Sequence, residues 1–223
     1  EVFKRSFDAR KVDLLTVYIA DVTLADPGQA ADLLARHADN SHIRAKPDMD
    51  YHLPVVAPTA VRPIVVGFGP CGIFAALLLA QMGLKPLVLE RGKTVRERTR
   101  DTWGLWRKNT LNPESNVQFG EGGAGTFSDG KLYSQIKDPK HYGRKVLTEF
   151  VKAGAPPEIL YVAKPHIGTF RLVGMVEAMR AEIEQLGGEI RFQQRVTDVL
   201  IEEGHVRGVK TASGDEIRSN HVV

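Results

Sequence analysis

The chain has 223 residues, of which 43% are hydrophobic and 26% are charged, a balance typical of a globular protein and not of a disordered or fibrous one. Thirty lysines and arginines against 27 acidic residues leave a net charge of only +3, so the composition gives no argument for a nucleic-acid-binding surface. The single cysteine, Cys71, excludes an intrachain disulfide and a cysteine-rich zinc site, and it favours a reducing, cytoplasmic compartment. We expect no metal site. We also expect no membrane span, since the longest apolar stretch is only Phe74 to Ala80.

Residues 1–60 are predicted to form a small α+β module. Alternating apolar residues from Val17 to Leu24 indicate a strand, and Asp26-Pro27-Gly28 marks the start of a helix that reaches His37. Residues 42–49 are predicted to form a second strand. The stretch 53–63 contains prolines at 54, 58 and 63, which a regular helix does not tolerate. We therefore place a linker there and a domain boundary at about residue 60.

The sequence after the linker predicts a complete β-α-β unit. Ile64-Val65-Val66 is a short apolar strand, the helix that follows ends at Gly83, and a second strand ends at Glu90. Between the first strand and the helix lies Gly67-Phe68-Gly69-Pro70-Cys71-Gly72, which has the spacing G-x-G-x-x-G. A strand, this turn, a helix and an acidic residue 23 positions after Gly67 together predict a dinucleotide-binding unit. A purely structural glycine turn is the alternative.

Each glycine of this turn has a distinct predicted role. Gly67 permits the tight turn, Gly69 lets a pyrophosphate approach the backbone, and Gly72 lets the helix pack closely on the strand. The positive end of the helix dipole favours the phosphates, and Glu90 can accept hydrogen bonds from a ribose diol. Three neighbours complete this predicted cofactor-binding set, namely Pro70, Cys71 and Arg91. Cysteine at position 71 is interpreted as a small side chain without a chemical role, and a reactive thiol at the helix N-terminus is the alternative.

The rest of the chain is predicted to alternate between helix and strand. A basic helix covers residues 93–108, and its six positive and two negative charges fit either a phosphate-facing role or a solvated surface. A glycine-rich loop follows at 120–130, then a mostly helical or loop insertion at about 134–187 that ends in an amphipathic helix, and finally a strand-rich tail.

The second glycine-rich loop is predicted to lie beside a flat ring. A backbone with few side chains can approach an isoalloxazine and direct N–H groups at its polar edge. The residues concerned are Gly122, Gly123, Ala124, Gly125 and Thr126. A mobile surface loop is the alternative.

Two weaker candidates for catalysis follow that loop. Lys131 could stabilise an anionic reduced flavin, and His166, just before a helix, could act as an acid or base. A solvated lysine and a structural histidine are the alternatives.

Several stretches of the sequence are similar to one family. They are Val65 to Gly72, Leu87 to Gly92, Asp101 to Gly104, Asn116 to Leu132 and Pro165 to Thr169. Through the first two stretches the chain resembles the FAD-binding oxidoreductases of the glutathione-reductase-like superfamily. Through the other three it resembles, more narrowly, a family of uncharacterised bacterial FAD-dependent dehydrogenases.

The resemblance implies an α/β fold in which residues 61–223 form a Rossmann-like FAD-binding domain, with a parallel sheet and a β-meander. It implies FAD as the cofactor, NAD(P)H as a candidate electron donor, an unknown small-molecule substrate, and Val196 beside the adenine. Because Ser219 to Val223 resembles the start of a strand leading to a further cofactor loop, we expect the chain to be truncated at its C-terminus and inactive alone.

Two other functions stay open at this point. The first is an NAD(P)-dependent dehydrogenase with a single Rossmann domain, since NAD and FAD use the same kind of first turn. The second is nucleic-acid binding by residues 1–60, which contain Lys4, Arg5, Arg10 and Lys11. That module lacks a recognisable aromatic stacking pair, so we expect it not to bind nucleic acid. The sequence leaves the substrate and the oligomeric state undetermined.

Overall fold

The structure is a computed structural model that describes residues 1–57, 59–132, 134 and 136–223. The described residues contain eight strands, which are β1 (Val2–Asp8), β2 (Leu15–Ala20), β3 (Ile64–Val66), β4 (Leu87–Leu89), β5 (Glu189–Arg191), β6 (Val196–Glu202), β7 (His205–Thr211) and β8 (Glu216–Arg218). They also contain five α-helices, which are α1 (Ala30–Arg36), α2 (Pro70–Gln81), α3 (Val95–Lys108), α4 (Tyr142–Lys152) and α5 (Thr169–Gln185). The predicted mixed α/β class is confirmed.

The chain divides into two compact units. The first contains residues 1–51, 132–151 and 156–166, and the second contains residues 52–131, 152–155 and 167–223. This division shows which residues form compact units, but it does not show which segments fold independently. The domain boundary at about residue 60 therefore stays a prediction. Pro58 of the predicted linker lies outside the described residues.

A parallel sheet forms the centre of the second unit, with the strand order β3-β4-β5. Its first two strands are continuous apolar runs, and Ile64, Val65 and Val88 are each at most 1% exposed. Such runs are typical of parallel strands that are covered on both faces. Beside β3, Val222 forms an isolated parallel bridge with Ile64, and the N–H of Val66 donates to the carbonyl of Val223 at 2.8 Å. The strand predicted at 64–66 is confirmed, and the strand predicted at 86–89 is confirmed over Leu87–Leu89.

Two helices bury the apolar residues that accompany this sheet. Helix α2 packs against α5. Five side chains of α5 are buried, which are Leu172, Met175, Val176, Met179 and Ile183. Burying one such side chain stabilises a fold by about 1.5–3 kcal/mol. This packing fixes α2, and with it the turn that leads from β3 into α2.

The tail of the second unit forms the predicted β-meander. Strands β6, β7 and β8 pair antiparallel in that order. Val209 of β7 is fully buried in one cluster with Ile64, Leu87 and Leu89. The meander therefore shares its core with the parallel sheet, and this holds the segment between β5 and β6 in place.

The first unit differs from its prediction in two places. Strand β2 pairs antiparallel with β1, a strand that the sequence analysis missed. Residues 42–49 form no strand, so that prediction was wrong. The physical reason is local: the side chain of Asn40 accepts a hydrogen bond from the N–H of His42 at 3.0 Å, and Pro47 has no N–H for a strand ladder. The helix predicted after Asp26 is confirmed as α1.

No helix within the described part of the chain combines the length and the apolar character that crossing a bilayer requires.

Candidate functional site

The turn from β3 into α2 is shaped by two glycines. Gly67 has a φ of +93°, a conformation that glycine adopts without steric cost. Gly72 is required for space, because a Cβ on it would lie 2.0 Å from the carbonyl oxygen of Gly67. The helix therefore begins directly against the strand, as the sequence predicted for a close helix–strand contact.

Gly69 differs from these two glycines because nothing in the fold requires it. Its φ of −79° and ψ of −173° suit any residue. An added Cβ would meet only the Cα of Gly123, at an ordinary contact distance of 3.9 Å. What Gly69 provides is free volume on the wall of a cavity. A group that approaches the backbone at this position would need that volume.

The N-terminus of α2 faces the same region. Pro70 is its first residue, and Gly69 at the cap position offers no side chain to the first turn. The first N–H groups of a helix have no intrahelical partners, and they carry the positive end of the helix dipole. Cys71 is exposed at this end. The arrangement suits a negatively charged group of a ligand.

Glu90 connects the end of β4 to both neighbouring loops. It is only 4% exposed, and its carboxylate accepts hydrogen bonds from the N–H of Phe68 and from the N–H of Gly92, each at 2.7 Å. Each carboxylate oxygen has two lone pairs, so acceptor capacity remains. Because Glu90 also lines the cavity, this remaining capacity is available to a ligand hydroxyl. The predicted ribose contact thus stays a prediction that the geometry permits.

The second glycine loop packs against the first. The N–H of Gly122 donates to the carbonyl of Phe68 at 2.8 Å. Gly123, with a φ of +60°, lies so close to the start of α2 that an added Cβ would be 3.2 Å from the Cα of Gly69. A Cβ on Gly92 would lie 2.5 Å from the Cα of Gly120. The two loops therefore form adjoining walls.

These walls line an open cavity of about 620 Å³. Its lining residues come from the ends of β3 and β4, from both glycine loops and from the segment before β6; they are Val66, Gly67, Gly69, Leu89, Glu90, Arg91, Gln118, Phe119, Gly120, Gly123, Gln194, Arg195, Val196 and Thr197. The position agrees with a general rule for open α/β sheets, whose ligands bind at the carboxyl ends of the strands.

One group of predicted cofactor-binding residues is brought together at this cavity. Its members on the cavity wall are Gly67, Gly69, Glu90, Arg91, Gly123 and Val196. The others lie beside it in the chain but do not line it: Pro70, Cys71 and Gly72 in the first turn of α2, Gly122 in the second loop, and Ala124, Gly125 and Thr126 in a short 3-10 helix. The roles assigned to all of these residues stay predictions.

The two candidate catalytic side chains are not on the cavity wall. Lys131 is 75% exposed and pairs with Asp129 at 2.9 Å, and this hydrogen bond raises the pKa of the Lys131 ammonium. His166 is exposed and belongs to the first compact unit. Their catalytic roles stay predictions.

A network of charges orients Arg91 at the cavity. Its guanidinium lies 3.8 Å from the centre of the Phe119 ring and donates to the carboxylate of Glu114 at 2.9 Å. Arg195 donates to the other oxygen of the same carboxylate, also at 2.9 Å. The hydrogen bond from Arg91 is the main reason why the pKa of Glu114 is lowered. Glu114 is 23 positions from Arg91, so the sequence offered no spacing signal for this pair.

Two buried charged residues behind the second loop were missed by the sequence analysis. Glu121 is fully buried, accepts a hydrogen bond from the N–H of Val95 at 2.7 Å, and has one carboxylate oxygen without a hydrogen-bond partner. Burial raises the pKa of this carboxyl. Arg98 of the basic helix is also fully buried. Neither the phosphate-facing nor the solvated interpretation of that helix describes Arg98, which points into the protein.

The chain is similar in sequence to a protein of unknown function. No family model matches the chain. The chain is 43% identical over 210 residues to an uncharacterized protein of Clostridium beijerinckii, an alignment that covers 94% of this chain and 39% of that protein. The chain thus spans about two fifths of the length of this relative.

Several solved structures are similar to this chain at low sequence identity and with TM-scores below 0.5. They include THI4 from Thermovibrio ammonificans, with 17% identity and a TM-score of 0.47 over 73% of this chain and 55% of that chain. A 3-ketosteroid-delta4-(5alpha)-dehydrogenase from Rhodococcus jostii RHA1 has 16% identity and a TM-score of 0.45, over 76% of this chain and 46% of that chain. L-proline dehydrogenase from P. horikoshii has 20% identity and a TM-score of 0.38, over 74% and 52% respectively. Likenesses of this size do not assign a function.

Proposed function

We propose that this chain is the nucleotide-binding part of an FAD-dependent oxidoreductase and that the 620 Å³ cavity holds the adenosine diphosphate half of FAD. The observation that carries the proposal is Gly69. Neither its backbone conformation nor its neighbours require a glycine, yet it leaves open the space in front of the N-terminus of α2. A pyrophosphate against the backbone would use that space.

The other residues of the cavity fit the same ligand. The first turn of α2 offers unpaired N–H groups to the phosphates. Glu90 keeps lone pairs for the ribose hydroxyls while its two backbone hydrogen bonds hold the carboxylate in place. Val196, at the start of β6, lies on the cavity wall where the family resemblance implies the adenine.

FAD is favoured over a nicotinamide dinucleotide by the second glycine loop. Gly120 and Gly123 bring bare backbone to the cavity wall beside the pyrophosphate position. Such a wall suits a ligand that continues from the phosphates toward a flat ring. When bound, FAD supplies hydride and electron transfer, which no side chain of the cavity can perform. The chain's own residues bind and orient it. We further propose NAD(P)H as the donor and a small molecule as the substrate.

Titration calorimetry with FAD, ADP and NADH tests this proposal. We expect ADP to bind to the purified chain, because the cavity contacts the adenosine diphosphate that FAD and NADH share. FAD should bind at least as tightly as ADP and more tightly than NADH, because the second glycine loop faces the part of the ligand beyond the phosphates. The second candidate function is that of an NAD(P)-dependent dehydrogenase, whose ligand is NADH, and Glu90 could bind the ribose of NADH as well. Tighter binding of NADH than of FAD would favour that function. Absence of binding by both FAD and ADP would reject the site.

A further inference from the structure

One arginine behind the second glycine loop has no role in the proposal above. Arg98 of α3 is 0% exposed and is the bulkiest of the fully buried side chains in the described part of the chain. A buried charge is costly unless it is paired and hydrogen-bonded. Its basic neighbour on the same helix, Arg96, shows the ordinary case: that side chain is 70% exposed and pairs with Glu177.

The guanidinium of Arg98 is satisfied by one segment of backbone. It donates to the carbonyls of Asn116, Val117, Glu121 and Gly123, at distances from 2.6 to 2.8 Å. Its Cζ atom lies over the Phe127 ring, 4.8 Å from the ring centre. Four carbonyl oxygens directed at one point would repel each other without a cation between them. The charge of Arg98 therefore stabilises this particular path of residues 116–123.

Arg98 remains a cation under ordinary conditions although it is buried. Burial lowers the pKa of its guanidinium to about 10, while the carboxylates of Glu90 and Glu121 favour the charged form. The side chain is thus charged at neutral pH, and its donors stay available to the loop.

The segment that Arg98 binds is also a wall of the cavity. Gln118, Phe119, Gly120 and Gly123 line the cavity, whereas Arg98 does not. Contact between the arginine and the loop is close: a Cβ on Gly120 would lie 2.4 Å from the Cδ of Arg98. The backbone at Gly120 thus packs directly against the arginine side chain, so a shift of Arg98 toward the loop would displace Gly120 and with it the cavity wall. Arg98 can act on a ligand only through this backbone.

We propose that Arg98 is the positioning residue of the candidate nucleotide site, holding residues 116–123 in the shape that forms the cavity wall and so setting the affinity for the nucleotide. The part of the proposal that concerns affinity rests on the proposed function. The part that concerns the loop does not.

The test compares Arg98→Lys and Arg98→Met with Arg96→Met as the matched control on the same helix. Amide hydrogen exchange of residues 116–123 measures the loop without a ligand. We expect exchange there to be at least about tenfold faster in both Arg98 variants, with unchanged exchange in β3 and β4. Arg96→Met should leave exchange in this loop unchanged, because an exposed ion pair contributes little. Equal exchange in Arg98→Met and the parent would overturn the proposal.

Calorimetric titration with ADP, corrected for the folded fraction measured by circular dichroism, tests the consequence for affinity. We expect the affinity for ADP to decrease in the order parent, Arg98→Lys, Arg98→Met, and to be about tenfold or more lower in the methionine variant than in the parent. The lysine variant should be intermediate, because lysine keeps the charge but not the planar fork of donors. A merely structural role would lower the folded fraction but leave the affinity of the folded molecules unchanged, and that result would also overturn the proposal.

If both Arg98 variants fail to fold, Phe127→Leu replaces them, since it removes only the ring against the guanidinium. The same changes in exchange and affinity are then expected at smaller size, and their absence would count against the proposal. Absence of ADP binding by the parent would reject the proposed function and the affinity part together, while the exchange result would still decide whether Arg98 holds the loop.

Discussion

The loop Gly67 to Gly72 and the loop 116–123 form adjoining walls of one cavity, but different forces hold them. In the first, a positive φ at Gly67 and the close packing of Gly72 on β3 determine the path of the backbone. In the second, the carbonyls converge on the buried guanidinium of Arg98. The first loop thus depends on missing side chains and on the carboxylate of Glu90, which binds the N–H of Phe68. The second loop also has glycines with positive φ, but it depends in addition on the buried guanidinium of Arg98.

This difference predicts which substitutions damage the fold and which damage only the site. In the first loop, packing depends on Gly72 and Gly67, whereas the free volume of Gly69 has no part in packing. Stability and ligand binding can therefore be separated by single substitutions within one turn. In the second loop the same backbone both packs against Arg98 and lines the cavity, so losses of stability and of ligand affinity should appear together.

Gly72→Ala should have a large effect on stability. The new Cβ would lie 2.0 Å from the carbonyl oxygen of Gly67, so either α2 or β3 must move. Overpacking against rigid backbone costs about 1–3 kcal/mol and occasionally more, and we expect the upper end of that range. Urea unfolding measures the change. Gly174→Ala in α5 is the matched control, because nothing lies within 4 Å of its added Cβ, and a neutral or stabilising effect is expected there.

Glu90→Ala should lower both stability and nucleotide affinity. The substitution leaves the N–H groups of Phe68 and Gly92 without their acceptor, and an unsatisfied buried donor costs about 1–3 kcal/mol. Urea unfolding gives the stability change, and ADP titration of the folded variant gives the affinity. Unchanged affinity would show that Glu90 organises the loops without touching the ligand, which would remove the ribose assignment.

Gly69→Ala should separate binding from folding most cleanly. Its free energy of unfolding should stay within about 0.5 kcal/mol of the parent, as for a substitution without a steric conflict. Affinity for ADP and FAD should fall about tenfold, or about 1.4 kcal/mol, because the methyl group occupies the space in front of α2. Parent-like affinity would mean that the phosphates lie elsewhere, and the main observation behind the proposed function would be lost.

The same difference explains what could be predicted from the sequence. The tight turn at Gly67 and the close helix–strand contact at Gly72 were predicted because the residues of the first loop are adjacent and their spacing is itself the signal, whereas the role of Gly69 stays a prediction. The second loop was predicted only as a glycine-rich segment. What holds it is a residue at least 18 positions away, Arg98, which looked like any other charge of a basic helix. Strand β1 was missed for a similar reason, because its partner β2 rather than its own pattern stabilises it.

The smallest expected effects concern pH, and they contrast two glutamates near the second loop. Burial raises the pKa of Glu121 above the ordinary 4.5. Between pH 4.5 and the raised pKa of the folded state, the folded state therefore binds more protons than the unfolded state. Its contribution to stability must fall as the pH rises through that window. The hydrogen bond from Arg91 lowers the pKa of Glu114 below 4.5, so its contribution is present above 4.5 and is lost as the pH falls through the folded-state pKa.

Glu121→Gln and Glu114→Gln should therefore change the pH dependence of unfolding in opposite directions. Relative to the parent, Glu121→Gln should gain stability as the pH rises above 4.5, because it removes the growing cost of a buried charge. Glu114→Gln should lose stability relative to the parent above 4.5 and approach it in more acidic solution, and the loss should shrink at high salt because the pair is partly exposed. Urea unfolding across this range measures both curves. Parallel curves for the two variants would mean that Glu121 is not held in a low-dielectric position behind the loop, and that the second loop is more open to water than the contacts of Arg98 require.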